Sequence, residues 1–310
     1  MIKYIIFRIF KAFPIVLGVI SVSFLLVYIA PGDPVLSMVG ENYKEETVQQ
    51  IRKELNLDKT IVEQYFLYMS KIFRLDFGQS YISGQEIYKI ISQKIFFTFK
   101  LTFFSMMFAI VFGVFFGIIS GINYKNKIDR LIVFLSIIGI SSPVFSVALI
   151  FIYIFSIQLK VLPPSGYDGI QYFILPCIVL GLRSLSLFIR ITRDSFIEII
   201  NEDYIRTAKS KGLKKHVIIN KHVLKNLLIP IVTIVGIDFS SYLTGAVLTE
   251  SIFGWPGIGR YLVDSILQRD FPAIQATVLF MSLVFVITNV LVDILYCFVN
   301  PKIREILIEK

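Results

Sequence analysis

Three ionisable residues, Arg183, Asp238 and Asp293, stand within long apolar stretches of the chain. A charge surrounded by hydrocarbon is costly, so such residues pair with one another, face a polar cavity or line the path of a solute. Asp238 has Ser240, Ser241 and Tyr242 close by. That setting suits a polar path through Arg183, Asp238 and Ser241, or equally a hydrogen bond between two helices. Arg183 can pair with either acid or face a cavity. The only histidines, His216 and His222, lack partner acids at metal-ligand spacing, so neither a metal centre nor a hydrolytic site is read there. Cys177 and Cys297 lie in apolar runs and make neither a disulfide framework nor a ligand set. The chain has no Gly-x-x-x-x-Gly-Lys-Ser/Thr phosphate loop, so it cannot cradle ATP itself. No cofactor is expected on this chain, and any ATP and Mg belong to another polypeptide.

The elements that position these residues are set by composition. Of 310 residues 55% are hydrophobic and 17% charged, against roughly 25% charged in a soluble protein. A soluble domain of this length has no core large enough to hide that much apolar surface, and disorder is excluded by the same numbers. A membrane helix needs about 20 mostly apolar residues. Six runs qualify: 10–30, 98–122, 131–157, 172–189, 227–248 and 273–299. Segments 1–11, 123–130, 190–226 and 300–310 hold 18 Lys and Arg, whereas 158–170 and 250–272 hold three. Basic short loops stay in the cytoplasm, so both termini are expected inside a multi-pass cell-membrane protein. This distribution accounts for the net charge of +9 without nucleic acid, whose binding needs basic residues and stacking aromatics on one folded face. The basic start followed by an apolar run reads as an uncleaved first helix, because Tyr28 is too large for a signal-peptide cleavage site.

Segment 31–95 opens with Pro31-Gly32-Asp33-Pro34, a sharp stop, and is nearly neutral. Helical spacing over 46–57 and 61–73 predicts two short helices on the outer membrane surface, as a cap or a docking surface. Gly113, Gly117 and Gly121 at four-residue spacing let another helix approach closely, within the chain or between subunits. Pro143 predicts a kink in the third run. Loop 190–226 is too long for a connector. Acids Asp194, Glu198, Glu202 and Asp203 come early and bases late, an order a helix tolerates well. Gly212 then reads as a stop before a second amphipathic helix. Such a compact knob, held between two spans, can transmit a push to both.

At this loop the sequence resembles the inner-membrane permeases of ABC importers, in the dipeptide/oligopeptide/nickel branch. The branch pattern Asp-Tyr-x-Arg-Thr-Ala-x-x-Lys-Gly is matched by Asp203, Tyr204, Arg206, Thr207, Ala208, Lys211 and Gly212. The general family pattern differs here: Arg206 stands where Glu opens the Glu-Ala-Ala motif, and Lys225 where a Pro follows. Further matches run along the whole chain. They include Pro31-Gly32-Asp33-Pro34, Leu57-Asp58-Lys59, Asp76-Phe77-Gly78-Gln79-Ser80 and Leu162-Pro163. The most specific runs from Glu250 through Phe253-Gly254-Trp255-Pro256-Gly257 to Arg260, and Asn300-Pro301-Lys302-Ile303-Arg304 closes the chain.

The resemblance implies an all-α membrane protein with six transmembrane helices, of the type-I importer class. An external segment follows helix 1 and a coupling-helix loop lies between helices 4 and 5. The expected division is 1–95 (first helix plus external segment), 96–300 (permease domain) and 301–310 (cytoplasmic tail). It implies a non-catalytic permease for di- or oligopeptides, with nickel or a metal chelate as the alternative cargo. Its partners are a second homologous permease, two ATP-binding subunits, an external solute-binding protein and the lipid bilayer. ATP-driven closure of those subunits would carry the knob and switch the helices from inward-open to outward-open, which needs different contacts in the two states. The coupling candidates are Asp203, Tyr204, Arg206, Thr207, Ala208, Lys211, Gly212 and Leu213, with Tyr204, Ala208 and Leu213 as the docked apolar face. Asp293 matches a family position near the last helix end and reads as structural. Glu250, Trp255, Pro256 and Gly257 fit an external gate, or, for Trp255, an anchor in the interfacial aromatic belt. Three other classes compete: an ion-coupled secondary transporter using Asp238 and Asp293 as a relay, a membrane enzyme, and a structural assembly subunit.

Overall fold

The structure, a computed structural model, describes residues 2–29, 35, 45–54 and 56–299. The Pro31-Gly32-Asp33-Pro34 stop, the Asn300–Arg304 match and the 301–310 tail lie outside the described residues. So do the side chains of Ser240 and Asp293. Among the described residues regular structure is helical apart from one bridge, Gln79 to Glu86. α1 (Ile2–Ile29) is followed by α2 (Glu45–Glu54) and α3 (Ile61–Phe73). Next come α4 (Ile87–Ile122), α5 (Lys127–Ser141) and α6 (Val144–Phe151), which runs into a π-helical turn, Ile152–Gln158. α7 (Ile170–Ile200) leads to α8 (Asp203–Ser210) and α9 (Lys215–Ile218). A second π-helical turn, Ile219–Val223, joins α9 to α10 (Leu224–Gly245). α11 (Val247–Phe253), α12 (Ile258–Leu267) and α13 (Phe271–Val299) complete the described chain.

Among the described residues four helical stretches are long and apolar enough to cross a membrane: Ile87–Ile122, Ile170–Ile200, His216–Gly236 and Phe271–Val292. α5 and α6 with its π turn form a fifth if counted as one broken span, and α1 carries a shorter apolar stretch, Phe10–Leu25. Each overlaps one of the six expected runs, with two departures. The third run does not merely kink. Its halves are bent by 109°, because Pro143 has no N–H to donate and forces Ser142 into extended backbone. The fifth run does not begin near 227. Its helix is continuous from Lys215, so the second short helix expected in the basic loop is the first turns of this span.

α4 and α7 form the centre of the bundle and run parallel. The glycines of α4 permit this. A Cβ at Gly113 would stand 2.5 Å from Phe188 Cβ, at Gly117 2.6 Å from Thr192 Cβ, and at Gly121 2.6 Å from Phe196 Cδ1. Within a bilayer apolar burial gives little drive for association, so such close van der Waals contact between small-residue faces supplies it. The glycine run therefore serves packing inside the chain. α1 packs antiparallel on α13, with Ser23 Oγ donating to the Gln275 carbonyl (2.9 Å). Two helices form after α1, as expected, and α3 lies along the last turns of α1. Phe24 is surrounded by the rings of Tyr28, Tyr65 and Tyr68. α3 starts on a reciprocal cap: Thr60 accepts from the Glu63 N–H, and Glu63 Oε2 accepts from the Thr60 N–H (3.0 Å). Those hydrogen bonds hold the Glu63 carboxyl below its ordinary range.

Candidate coupling site and transport region

α8 hangs at the basic end of the bundle on short tethers, Asn201 and Glu202 before it and the Gly212 turn after it. Ile205 and Ala208, three residues apart, lie on one face and are buried. They join Ile218, Val223 and Leu227 in the main core cluster. Ala208 was expected on the partner-facing side. It is turned into the chain instead, because the spacing of Ile205 and Ala208 fixes which face of α8 meets α9 and α10. Tyr204 and Leu213 stay at the surface, 42% and 40% exposed. Asp203, Arg206, Thr207, Lys209, Lys211 and Gly212 are exposed beside them. Tyr204 is tied back: its hydroxyl accepts from Asn226 Nδ2 of α10 (2.8 Å). Arg206 and Asp203 approach to 3.6 Å in open solvent, a geometry that contributes little to stability.

The stop after α8 is a Schellman turn. The Gly212 N–H donates to the Lys209 carbonyl (3.0 Å) and the Leu213 N–H to the Ala208 carbonyl (3.3 Å). Gly212 has φ +76, and a Cβ there would meet nothing within 4 Å. Backbone conformation, not space, requires the glycine.

Midway along the bundle Ser184 Oγ of α7 donates to Asp238 Oδ2 of α10 (2.5 Å). Asp238 thus makes the helix-to-helix hydrogen bond that the sequence allowed. Arg183 and Ser241 are exposed. Arg183 and Asp238 both lie near the buried Tyr242.

At the end opposite α8, Glu250 is fully buried. Its Oε1 accepts from Thr98 Oγ1 (2.6 Å) and its Oε2 from the Arg260 N–H (3.1 Å). Thr98 Oγ1 in turn accepts from the Ile258 N–H (2.9 Å). Two of the orphan donors at the start of α12 are satisfied in this way, with the negative charge at the helix N-terminus. Gly257 leaves the room: a Cβ there would be 2.2 Å from Glu250 Oε1. Burial pushes the Glu250 carboxyl above its ordinary range, and the bonds from Thr98 and Arg260 oppose that. Trp255 is 2% exposed, donates from Nε1 to the Phe97 carbonyl (3.0 Å) and packs on Phe97 and Phe173. It is no aromatic-belt anchor, since a belt tryptophan keeps one edge in the interface. Pro256 sits in the same tight turn after the left-handed Gly254.

Two buried carboxylates, Asp129 and Asp270, were given no role from the sequence, although Asp270 lies in the family-like run Arg269-Asp270-Phe271-Pro272. Asp129 accepts from Arg193 Nε (2.7 Å) and Nη2 (3.0 Å), from Ser120 Oγ (2.6 Å) and from the Lys125 N–H (2.8 Å). It clamps the α4–α5 turn to α7 one helix before the knob. Asp270, at the start of α13, accepts from Ser80 Oγ (2.5 Å) and the Tyr81 N–H (3.2 Å). Burial and the Asp270 carboxylate push the Tyr81 phenol up to about 12. An acid placed one turn into a helix and an Arg counted only for topology were the available signals. Neither names its partner, 64 and 190 residues away in sequence. Among the described residues no group of three or more His, Cys, Asp or Glu is placed to hold a metal ion.

Two solved structures share this fold. An inward-facing MetNI methionine ABC transporter chain aligns over 70% of this chain and 94% of its own, with TM-score 0.51 and 17% identity. An amino acid ABC transporter chain aligns over 67% and 93%, with TM-score 0.53 and 19% identity. The fold class is therefore that of the ABC importer transmembrane domain. Residues 113–305 match the family described as binding-protein-dependent transport system inner membrane component, and residues 1–102 match its N-terminal companion. Proteins named glutathione transport system permease protein GsiC, from Salmonella paratyphi A, Pectobacterium atrosepticum and Escherichia coli K12, are each 38% identical over 304 residues. The matches cover 98% of this chain and 99% of theirs. The chain belongs to this family: it is an ABC transporter permease of the peptide/oligopeptide branch, a non-catalytic subunit of the inner membrane.

Proposed function

We propose that this chain, paired with a second homologous permease, forms the path by which short peptides of the glutathione class enter the cell. A solute-binding protein delivers them outside, and two ATP-binding subunits drive the cycle from the cytoplasm. The observation that carries the reading is end-to-end similarity to permeases named for glutathione transport. The basic end, with α8, is the cytoplasmic one, and residues 96–300 are the permease domain to which 1–95 is appended. The outer face of α8, with Tyr204, Arg206, Lys211 and Leu213, docks on an ATP-binding subunit. The Schellman turn at Gly212 and the Asn226–Tyr204 bond make α8 move as one body with α7 and α10. Arg183 lies mid-way along α7 and is exposed. A lipid-facing Arg at that depth costs about 2.5–3.5 kcal/mol, which favours a polar path on that face. There it meets the carboxylate of a passing peptide, with Asp238 and Ser241 beside it. Glu250, Trp255, Pro256 and Gly257 form a fixed outer rim around that path.

The test is uptake into vesicles holding the complete transporter, with labelled glutathione, a dipeptide and nickel in parallel. ATP-dependent uptake of glutathione or the dipeptide is expected. Uptake of nickel alone would overturn the peptide assignment. Uptake driven by an ion gradient without ATP-binding subunits would overturn the coupling scheme.

A further inference from the structure

On the flank of the bundle α1 and α13 leave between them a groove of about 770 Å³. Its walls are apolar, with Ala12, Ile15 and Val19 on α1 facing Met281 and Phe285 on α13. Its polar residues are unevenly placed. Arg8, Lys11 and Asn289 stand together at the basic end, where the start of α1 meets the later turns of α13, and Ser282, about two turns earlier on α13, is the one other polar residue of the lining. From Arg8 to Val19 is eleven residues, about 16 Å of helix. That is about half of a ~30 Å hydrocarbon core, the depth of one leaflet. A peptide does not fit such walls, since its backbone groups would find no partners along them. An acyl chain does fit, and the two cations at one end match a phosphate at headgroup depth.

We propose that this groove is a binding site for an anionic phospholipid of the leaflet at the basic end. One acyl chain lies between α1 and α13, and the phosphate is held at Arg8 and Lys11 with Asn289 as an added donor. Both cations also interact within the chain, and the phosphate adds to those contacts. Basic pockets between membrane helices recognise anionic headgroups by this combination of charge and apolar depth. The site fastens α1, which otherwise meets the rest of the bundle through α3 and α13, to the annulus of lipid around it.

The experiment uses the whole transporter, permeases and ATP-binding subunits together, in nanodiscs. They contain a trace of phosphatidylglycerol or phosphatidylcholine carrying the same photoactivatable acyl chain. Labelled peptides are mapped by mass spectrometry. Labelling at 12–19 and 278–290 is expected to favour phosphatidylglycerol, by about fivefold for each cation engaged. R8Q/K11Q is expected to abolish that preference, and R8K/K11R to retain it. Ala12→Phe keeps the charges that orient α1 and fills the groove, so it is expected to lower labelling by both lipids. Equal labelling by the two lipids in the unaltered protein, or a preference that survives R8Q/K11Q, overturns the proposal. Efficient cross-linking of Ala12→Cys to the second permease also overturns it, because the groove is then filled by protein.

Discussion

Around α8 nearly every polar side chain faces outward, and the helix is held by two buried apolar residues, one hydrogen bond from Asn226 and a glycine turn. Around Glu250 the arrangement is inverted. The carboxylate is sealed from water, each of its oxygens accepts a hydrogen bond, and two glycines are placed so that no side chain crowds it. The two regions lie at opposite ends of α4, from Thr98 beside Glu250 to Gly121 beside Phe196, about 35 Å by helical rise. On the proposed function the α8 region docks on a partner and moves, and its polar groups stay in water, where contacts exchange cheaply. A region that fixes helices to one another can bury a charge, since every group there has its partner. On the proposed function the difference separates a moving part from a fixed frame, and substitutions test it.

The largest effect is expected from Glu250→Ala, which strands Thr98 and the Arg260 N–H in a dry site and leaves a cavity. A loss of about 3 kcal/mol or more is expected, read as a large fall in the thermal midpoint of the detergent-solubilised complex. If the midpoint holds, Glu250 belongs to a movable gate and not to the frame. Asp129→Ala comes next, at about 2–3 kcal/mol. That is less than for a fully sealed pair, because Arg193 keeps some contact with water. Asp129→Ala combined with Arg193→Met is expected to recover part of the loss, and a double-mutant cycle measures the coupling. Gly212→Val is expected to cost about 1–2 kcal/mol locally, since a β-branched residue resists positive φ. Transport should fall severalfold while the subunits still co-purify and hydrolyse ATP. Unchanged transport would show that α8 needs no defined stop. Tyr204→Phe removes one half-exposed hydrogen bond, worth about 0.5–1 kcal/mol, with a modest loss of transport and a fall of no more than about 2–3 °C in the thermal midpoint. The smallest effect is a pH slope. Burial raises the folded-state pKa of Glu250, so the folded protein binds that proton more tightly than the unfolded chain. The unaltered protein should therefore gain stability relative to Glu250→Gln as pH falls toward the ordinary carboxyl pKa of about 4.

Much of the α8 region was legible in residues that act locally. Gly212 marked the stop of α8 because positive φ is a property of one position. The order of acids and bases in the loop 190–226 reads along the chain. Gly113, Gly117 and Gly121 showed that a helix would come close, although not that it would be α7. The frame was less legible. Glu250, Trp255 and Gly257 could be marked as a motif, but their reading as a gate came without the knowledge that Thr98 and Phe97 would seal them. Ala208 was placed on the wrong face, because a helix of eight residues has two apolar stripes to choose from until α9 and α10 cover one. Pro143 predicted a kink, and the 109° turn depends on α6 leaving the line of α5 to pack on Leu175 and Val179.

The sequence alone determined that this chain lives in a membrane, how its apolar runs are spaced, and which loop is basic. Those follow from transfer energies summed over neighbouring residues and from backbone preferences of single ones. Only the tertiary structure decided that Asp129 meets Arg193, that Asp270 meets Ser80, and that Arg8 and Lys11 sit at the mouth of an apolar groove. Such pairings join residues far apart in the chain, and the energy that selects them exists only once the helices have packed.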